Sequence, residues 1–314
     1  MATLWITGAR GFIGRHLALE LSDQGHDVVG IGHGAWPSSE ARRSGVCHWL
    51  NAEITGSNLS SLCTPRGCPA AVYHLAGGSS VGAAVDRPSE DFGRTVKTTM
   101  ELFDWLRRES PSTKVIAVSS AAVYGAGHVA AISETAELRP HSPYGYHKLM
   151  MEMICRSYGA SFGLQSAVAR LFSVYGRGLK KQLLWDLCTK LATATRAVEL
   201  DGSGDELRDW TDVRDVTKAL AELPRWAASS VPTLNIATGI GTRVRDIAEG
   251  IIASWSAVDQ VELRFSGKAR PGDPFSLLAD SSQANSKGMA CLTTVADGLA
   301  DYVAWFRSLR ERPR

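Results

Sequence analysis

Residues 8–14 read GARGFIG, and this stretch limits the folds open to the chain more than any other. It follows the apolar run LWIT and leads into a helical pattern, so Gly8, Gly11 and Gly14 fall on a strand-to-helix turn. Each glycine answers a separate steric demand. Gly8 makes the tight turn, Gly11 lets a pyrophosphate approach the backbone, and Gly14 allows helix to pack closely on strand, with Phe12 and Ile13 starting the helix between them. A GxxGxxG spacing by itself describes only a glycine-rich turn. With a strand before it and a helix after it, the spacing implies a dinucleotide-binding βαβ unit.

The rest of the chain keeps that rhythm. DVVGIG, AAVYHLAG, KVIAVSS and GLQSAVARLFSVYG alternate with longer helical patterns, as expected of a parallel sheet covered on both faces. Unbroken hydrophobicity in KVIAVSS fits a central strand. The texture changes after residue 176, where KKQLLWDLCTKLATATR, VELDG and the loop GSGDELRDWTDVRD begin a second region. The expected fold is α/β: a doubly wound parallel (Rossmann) sheet over residues 1–176, with return segments near 212–240, and a smaller C-terminal α/β substrate lobe over 177–314.

Composition removes several partner classes. Among 314 residues, 34 basic and 32 acidic side chains leave a formal charge of +2, so no polyanion-binding surface and no nucleic-acid partner are expected. The N-terminus lacks a signal-like pattern and no apolar run reaches roughly 18 residues, so no membrane partner is expected and a cytoplasmic location is. The six cysteines make no CxxC pair and no zinc spacing with histidine, so free thiols and no metal site are expected. A bridge between Cys63 and Cys68 across TPRG would run against a reducing compartment.

The second strand ends VVGIGHG without an Asp or Glu at its tip. A carboxylate there would bind both ribose hydroxyls and repel a 2′-phosphate. Its absence, with His33 at the tip and Arg42 a few residues on, leads us to expect NADP(H), with NAD(H) the alternative. Glu53 and Ile54, after the third strand, are placed to contact the adenine.

In SPYGYHK, residues 142–148, two tyrosines precede one lysine. On a helix begun at Pro143, Tyr144 and Lys148 stand at i and i+4 on one face, whereas Tyr146 points away from that face. An ammonium beside a phenol favours phenolate, which makes a tyrosine usable as an acid/base near neutrality. YxxxK is common by chance. Here the strand KVIAVSS also delivers Ser119 and Ser120 to the sheet edge, where a hydroxyl can meet a substrate oxygen beside the tyrosine.

GARGFIG, HLAG (74–77), SSAAVYG (119–125), SPYGYHK, RLFSVYG (170–176), RDW (208–210) and RPGD (270–273) occur in the order found in one family. The chain resembles the extended short-chain dehydrogenase/reductases, the nucleotide-sugar epimerases, reductases and dehydratases, over essentially its whole length. That resemblance implies Ser120 as catalytic hydroxyl, Tyr144 as acid/base, and Lys148 as its partner and holder of the nicotinamide ribose. It implies Leu75, Ala76, Gly77 and Ser119 as further cofactor contacts. For a nucleotide-diphosphate sugar it implies Ser79, Ser80, Ser120, Ser173, Arg208 and Arg270, and it implies a homodimer.

Departures from the family narrow the reaction. Dehydratases carry an Asp and a Glu after the catalytic hydroxyl residue, where this chain has Ala121 and Ala122. Thr95 and Ser173 stand where Asn is common. The expectation is an NAD(P)-dependent oxidoreductase at sugar C4, first a reductase of a nucleotide-linked 4-keto-hexose, alternatively a 4-epimerase recycling NAD. A dinucleotide-binding regulator without activity is the remote alternative. His147 is expected at the surface or in an interface.

Overall fold

The computed structural model describes residues 1–194, 196–255, 261–268 and 275–311. Its strands are β1 (Thr3–Thr7), β2 (Asp27–Gly32), β3 (Val46–Asn51), β4 (Ala71–His74), β5 (Lys114–Ser120), β6 (Ser166–Leu171), β7 (Ser173–Tyr175), β8 (Ala197–Leu200), β9 (Leu207–Asp212), β10 (Thr233–Ile236), β11 (Gly241–Arg243), β12 (Glu262–Phe265) and β13 (Ser276–Leu277). Its helices are α1 (Phe12–Asp23), α2 (Ser38–Arg43), α3 (Gly56–Arg66), α4 (Val81–Asp86), α5 (Pro88–Phe92), α6 (Thr98–Glu109), α7 (Pro143–Phe162), α8 (Gln182–Leu191), α9 (Val213–Glu222), α10 (Val244–Trp255), α11 (Ser282–Ser286) and α12 (Val295–Glu311). Two compact units form: residues 1–125, 134–171 and 217–236 make the first, and 126–133, 172–216 and 237–314 the second.

The first unit is built on a seven-stranded sheet in the order β10-β6-β5-β4-β1-β2-β3, every pairing parallel. The winding reverses between β1 and β4, so the carboxyl ends of β1, β4 and β5 open on the edge where doubly wound sheets bind ligands. β5 is KVIAVSS with its five central residues buried, as its continuous apolar run requires of a strand covered on both faces. Trp5 of β1 stacks on Trp105 of α6 at 5.5 Å, within a core that also holds Val29, Val72, Val115, Leu102 and Phe103.

Helix α7 begins where its sequence says it should. Ser142 caps it by accepting from Gly145 N at 3.2 Å, Pro143 occupies the first turn, and Gly163 ends it in the left-handed region at φ 71°. A buried charge pair then fixes its rotation. Arg170 of β6 donates to Glu152 of α7 from Nε at 3.0 Å and from Nη2 at 2.7 Å, and Ser119 of β5 donates to the same carboxylate at 2.6 Å. Arg170 also donates to the Tyr124 hydroxyl at 2.9 Å, which donates on to Asn235 of β10 at 2.7 Å.

In the second unit β9 is the axis, antiparallel to β11 and parallel to β7 and β13, while β8 and β12 form a separate parallel pair. The buried carboxylate of Asp209 accepts from Thr238 N at 2.9 Å, Thr238 Oγ1 at 2.7 Å and Gly239 N at 2.8 Å, which sets the turn after β10. Trp185 of α8 packs edge-on against Phe306 of α12 at 5.0 Å.

One cysteine expectation is corrected. Cys63 and Cys68 are joined in a disulfide: Gly67, at φ 74°, ends α3 and turns the chain back, bringing the two Cα atoms to 4.7 Å, within bridging range. Cys47, Cys155, Cys188 and Cys291 are not disulfide-bonded.

Glu152→Ala strands the Arg170 guanidinium in the interior and is expected to cost about 3–5 kcal/mol in urea unfolding. Glu152→Gln still accepts hydrogen bonds and is expected to lose less.

Candidate active site

The glycine loop has the geometry of an anion cradle. Gly8 sits at φ 73°, and a Cβ on Gly14 would lie 2.4 Å from Gly8 O, so only glycine lets α1 start this close to β1. The N-cap of α1 is Gly11 with no side-chain cap, and its first turn carries no acid, which leaves backbone N–H groups and the positive helix end facing outward.

Around the tip of β2, His33 is exposed and Arg42 lies exposed in the last turn of α2. Gly34 donates to Asn51 Oδ1 at 2.8 Å and accepts from Trp49 Nε1 at 3.1 Å. Arg10, which the motif reading passed over, brings its guanidinium against Gly34 so closely that a Cβ there would overlap it. The signal was available, because the variable positions of a GxxGxxG loop must pass the end of β2. Glu53 is exposed, whereas Ile54 is buried in the core.

β4 leads into Leu75, Ala76 and Gly77 through a directed hydrogen-bond chain. Thr99 Oγ1 donates to Thr95 O at 2.6 Å, so it accepts from His74 Nε2 at 3.0 Å; His74 Nδ1 then accepts from Thr7 Oγ1 at 2.8 Å, and Thr7 in turn accepts from Ala76 N at 3.1 Å. His74 is thus a neutral Nε2–H tautomer, and burial, helped by the Lys148 charge, pushes its pKa down to about 3. Thr95 lies in a single π-helical turn, Gly93–Lys97, and accepts from Gly78 N at 2.9 Å. Gly77, at φ 147°, would meet Thr95 Oγ1 at 3.1 Å and Lys148 Nζ at 3.3 Å if it carried a Cβ.

Ser120, Tyr144 and Lys148 come together at the carboxyl end of β5. Ser120 ends that strand, accepts from Ala122 N at 3.2 Å and hydrogen-bonds the Tyr144 hydroxyl. Lys148 Nζ lies 5.9 Å from the centre of the Tyr144 ring and donates to Val118 O at 2.9 Å. Burial lowers the Lys148 ammonium to about 8, against the opposing charges of Asp91 and Glu152. Burial also raises the Tyr144 phenol, which the Ser120 hydrogen bond lowers and Asp91 raises further.

The remaining candidates divide. Ser119 is buried with its hydroxyl committed to Glu152, Ser80 caps α4 through Ala83 N at 3.4 Å, and Ser79 is exposed. In the second unit, Ser173 lies in β7 opposite Trp210, and Arg208 donates from Nη1 to Leu207 O at 2.9 Å and Phe275 O at 3.1 Å. Arg270 lies outside the described residues. Tyr146 is exposed on another face of α7. His147, expected at the surface or in an interface, is buried within the chain, where Asp91 of α5 meets its Nδ1 at 2.5 Å. No group of residues suited to a metal ion occurs among the described residues.

An uncapped helix start, a glycine turn with no room for side chains and an ammonium beside a strand end form a site that an adenine dinucleotide would fit. Fold and site together define a dinucleotide-dependent α/β enzyme. The chain belongs to the NAD dependent epimerase/dehydratase family, whose model matches residues 4–237. It is 28% identical to the UDP-glucose 4-epimerase of Mycolicibacterium smegmatis over 98% of this chain and 99% of that one. It is 29% identical to the GDP-6-deoxy-D-mannose reductase of Pseudomonas aeruginosa over 83% of this chain and 81% of that one. Among solved structures, MoeE5 in complex with UDP-glucose and NAD superposes with a TM-score of 0.86 at 29% identity, covering 98% of this chain and 100% of that one.

The His74 chain predicts a pH effect on stability. Its folded pKa, about 3, lies below the ordinary value of 6.5, so the unfolded chain binds the extra proton. The stabilisation is complete above pH 6.5 and is lost as pH falls toward 3. Wild type is expected to lose about 2 kcal/mol more than His74→Gln between pH 7 and pH 5, measured by urea unfolding at each pH.

Proposed function

We propose that the chain is a cytoplasmic 4-epimerase of nucleotide-diphosphate sugars that recycles bound NAD. The observation that carries this reading is the Ser120–Tyr144–Lys148 group, its lysine buried and its serine and tyrosine half-buried, with Ala121 and Ala122 after the serine. The three polar groups suit oxidation and reduction at one carbinol carbon, and the two alanines supply no acid or base for eliminating water. The UDP-glucose 4-epimerase relatives, and MoeE5 with its NAD and UDP-glucose, support epimerisation over net reduction.

The chemistry divides cleanly. A bound nicotinamide supplies the place for hydride. Everything at the oxygen falls to side chains: Ser120 hydrogen-bonds the C4 oxygen, Tyr144 takes the hydroxyl proton as the carbonyl forms and gives it back on return, and Lys148 lowers the cost of the phenolate. Arg208 serves the diphosphate of the substrate by charge-assisted hydrogen bonds.

Net reduction with NADPH is the second reading. The tip of β2 favours it: no carboxylate stands there to repel a 2′-phosphate, while Arg10 packs on Gly34 and Arg42 lies exposed nearby. The reductase relative from Pseudomonas aeruginosa is consistent with it.

We also propose a homodimer. Met100 of α6 and Met150, Met153 and Phe162 of α7 are exposed apolar side chains on adjacent helices. No helix among the described residues is long and apolar enough to cross a membrane.

With a panel of UDP-, GDP- and dTDP-hexoses, the protein is expected to interconvert C4 epimers without net change in cofactor absorbance. Stoichiometric NADPH consumption with a nucleotide-linked 4-keto sugar would establish the reductase instead. Tyr144→Phe is expected to lower kcat by about 10²–10⁴-fold with cofactor affinity retained, checked by steady-state kinetics and cofactor titration. In light scattering Met153→Glu is expected to shift a dimer to monomer, since it places a charge in the apolar contact.

A further inference from the structure

Asp91 and His147 lie behind the reacting groups and take no part in the chemistry proposed for them. Both are buried, with side chains only 6% and 11% exposed, and the Phe92 ring meets the imidazole edge-on at 5.5 Å. Asp91 Oδ2 faces His147 Nδ1 at 2.5 Å, while Oδ1 lies so close to Gly78 that no Cβ would fit there. Gly78 N donates to Thr95 Oγ1 at 2.9 Å, and Gly77 lies between Thr95 and the Lys148 ammonium. The Gly77–Gly78 backbone is therefore flanked by Asp91 and Thr95 and, from α7, by Lys148.

We propose that Asp91, seated on His147, is a positioning residue of this site: its carboxylate braces the Gly77–Gly78 backbone from behind and sets the electrostatic surroundings of Lys148 and Tyr144. The carboxylate opposes the burial that pulls the Lys148 proton off, and it makes the Tyr144 phenol harder to ionise.

Other charged groups on the surrounding elements are engaged or turned to solvent. Glu90 pairs with Arg87 at 3.2 Å and with Arg94, Glu152 pairs with Arg170 at 2.7 Å and Arg156 at 3.3 Å, and His74 is bonded between Thr7 and Thr99. Asp86 of α4 and Lys97 of the π-turn are exposed, and Glu101 of α6 is half-buried. That leaves Asp91 as the carboxylate beside Gly78, with His147 as its partner on the other oxygen.

The test is NMR titration of the Lys148 side chain in the isotope-labelled full chain, with the resonance assigned by its loss in Lys148→Met. Wild type should titrate with a midpoint of about 8. Asp91→Asn should move the main midpoint down by about one unit, a tenfold fall in the ammonium-to-amine ratio at fixed pH. Asp91→Ser, which also removes the charge, repeats the measurement in a smaller side chain. His147→Gln, which leaves the Asp91 charge in place, should keep the main midpoint. A midpoint unmoved by loss of the Asp91 charge, or one that His147→Gln lowers as far as Asp91→Asn does, overturns the proposal. The link to catalysis rests on the C4 reading, but the titration uses neither cofactor nor sugar. Its failure would leave that reading standing, and correct titrations without turnover on the sugar panel would overturn the reading alone.

Discussion

The Glu152–Arg170 pair is the contact on which the site depends. Glu152 lies one turn beyond Lys148 and two beyond Tyr144, so the three side chains share a face of α7. Pinning Glu152 to Ser119 of β5 and Arg170 of β6 sets the rotation of the helix, and the same rotation carries Tyr144 to Ser120. Buried ion pairs are often no more stabilising than a well-packed apolar substitute. Here the pair's directional hydrogen bonds provide what an apolar contact cannot, a single orientation of α7 on the sheet.

With the helix fixed, burial does the electrostatic work. It draws the Lys148 ammonium down to about 8, within reach of neutral pH, and it raises the Tyr144 phenol. The two effects set a trade-off: a more buried lysine stabilises phenolate more strongly but holds its own proton less well. Asp91 moderates that trade-off from behind. The adenosine end is a separate matter: Arg10, packed on Gly34, and Arg42, exposed on α2, have no part in the proton chemistry of α7.

Much of this was legible in the sequence because it rests on local rules. Gly8 and Gly14 are dictated by backbone approach, β5 by an unbroken apolar run, and Tyr144 with Lys148 by helical spacing. What escaped depends on tertiary partners. His147 reads as a surface or interface residue until Asp91, 56 residues earlier, is folded against it. That the Ser119 hydroxyl donates to Glu152 is likewise set by a residue 33 positions away. The Cys63–Cys68 bridge was set aside on compartment grounds, whereas the turn at Gly67 is what brings the pair together. Arg10 was hidden by a motif that draws attention to its glycines.

The central claim is that hydride leaves C4 and returns to the same carbon within one closed site. A nucleotide sugar deuterated at C4, incubated with the protein and its cofactor and analysed by NMR and mass spectrometry, tests it most directly. The deuterium is predicted to remain at C4 in both epimers, with no hydrogen entering from solvent. Loss of deuterium from C4 to water, or to added free cofactor, would contradict the account.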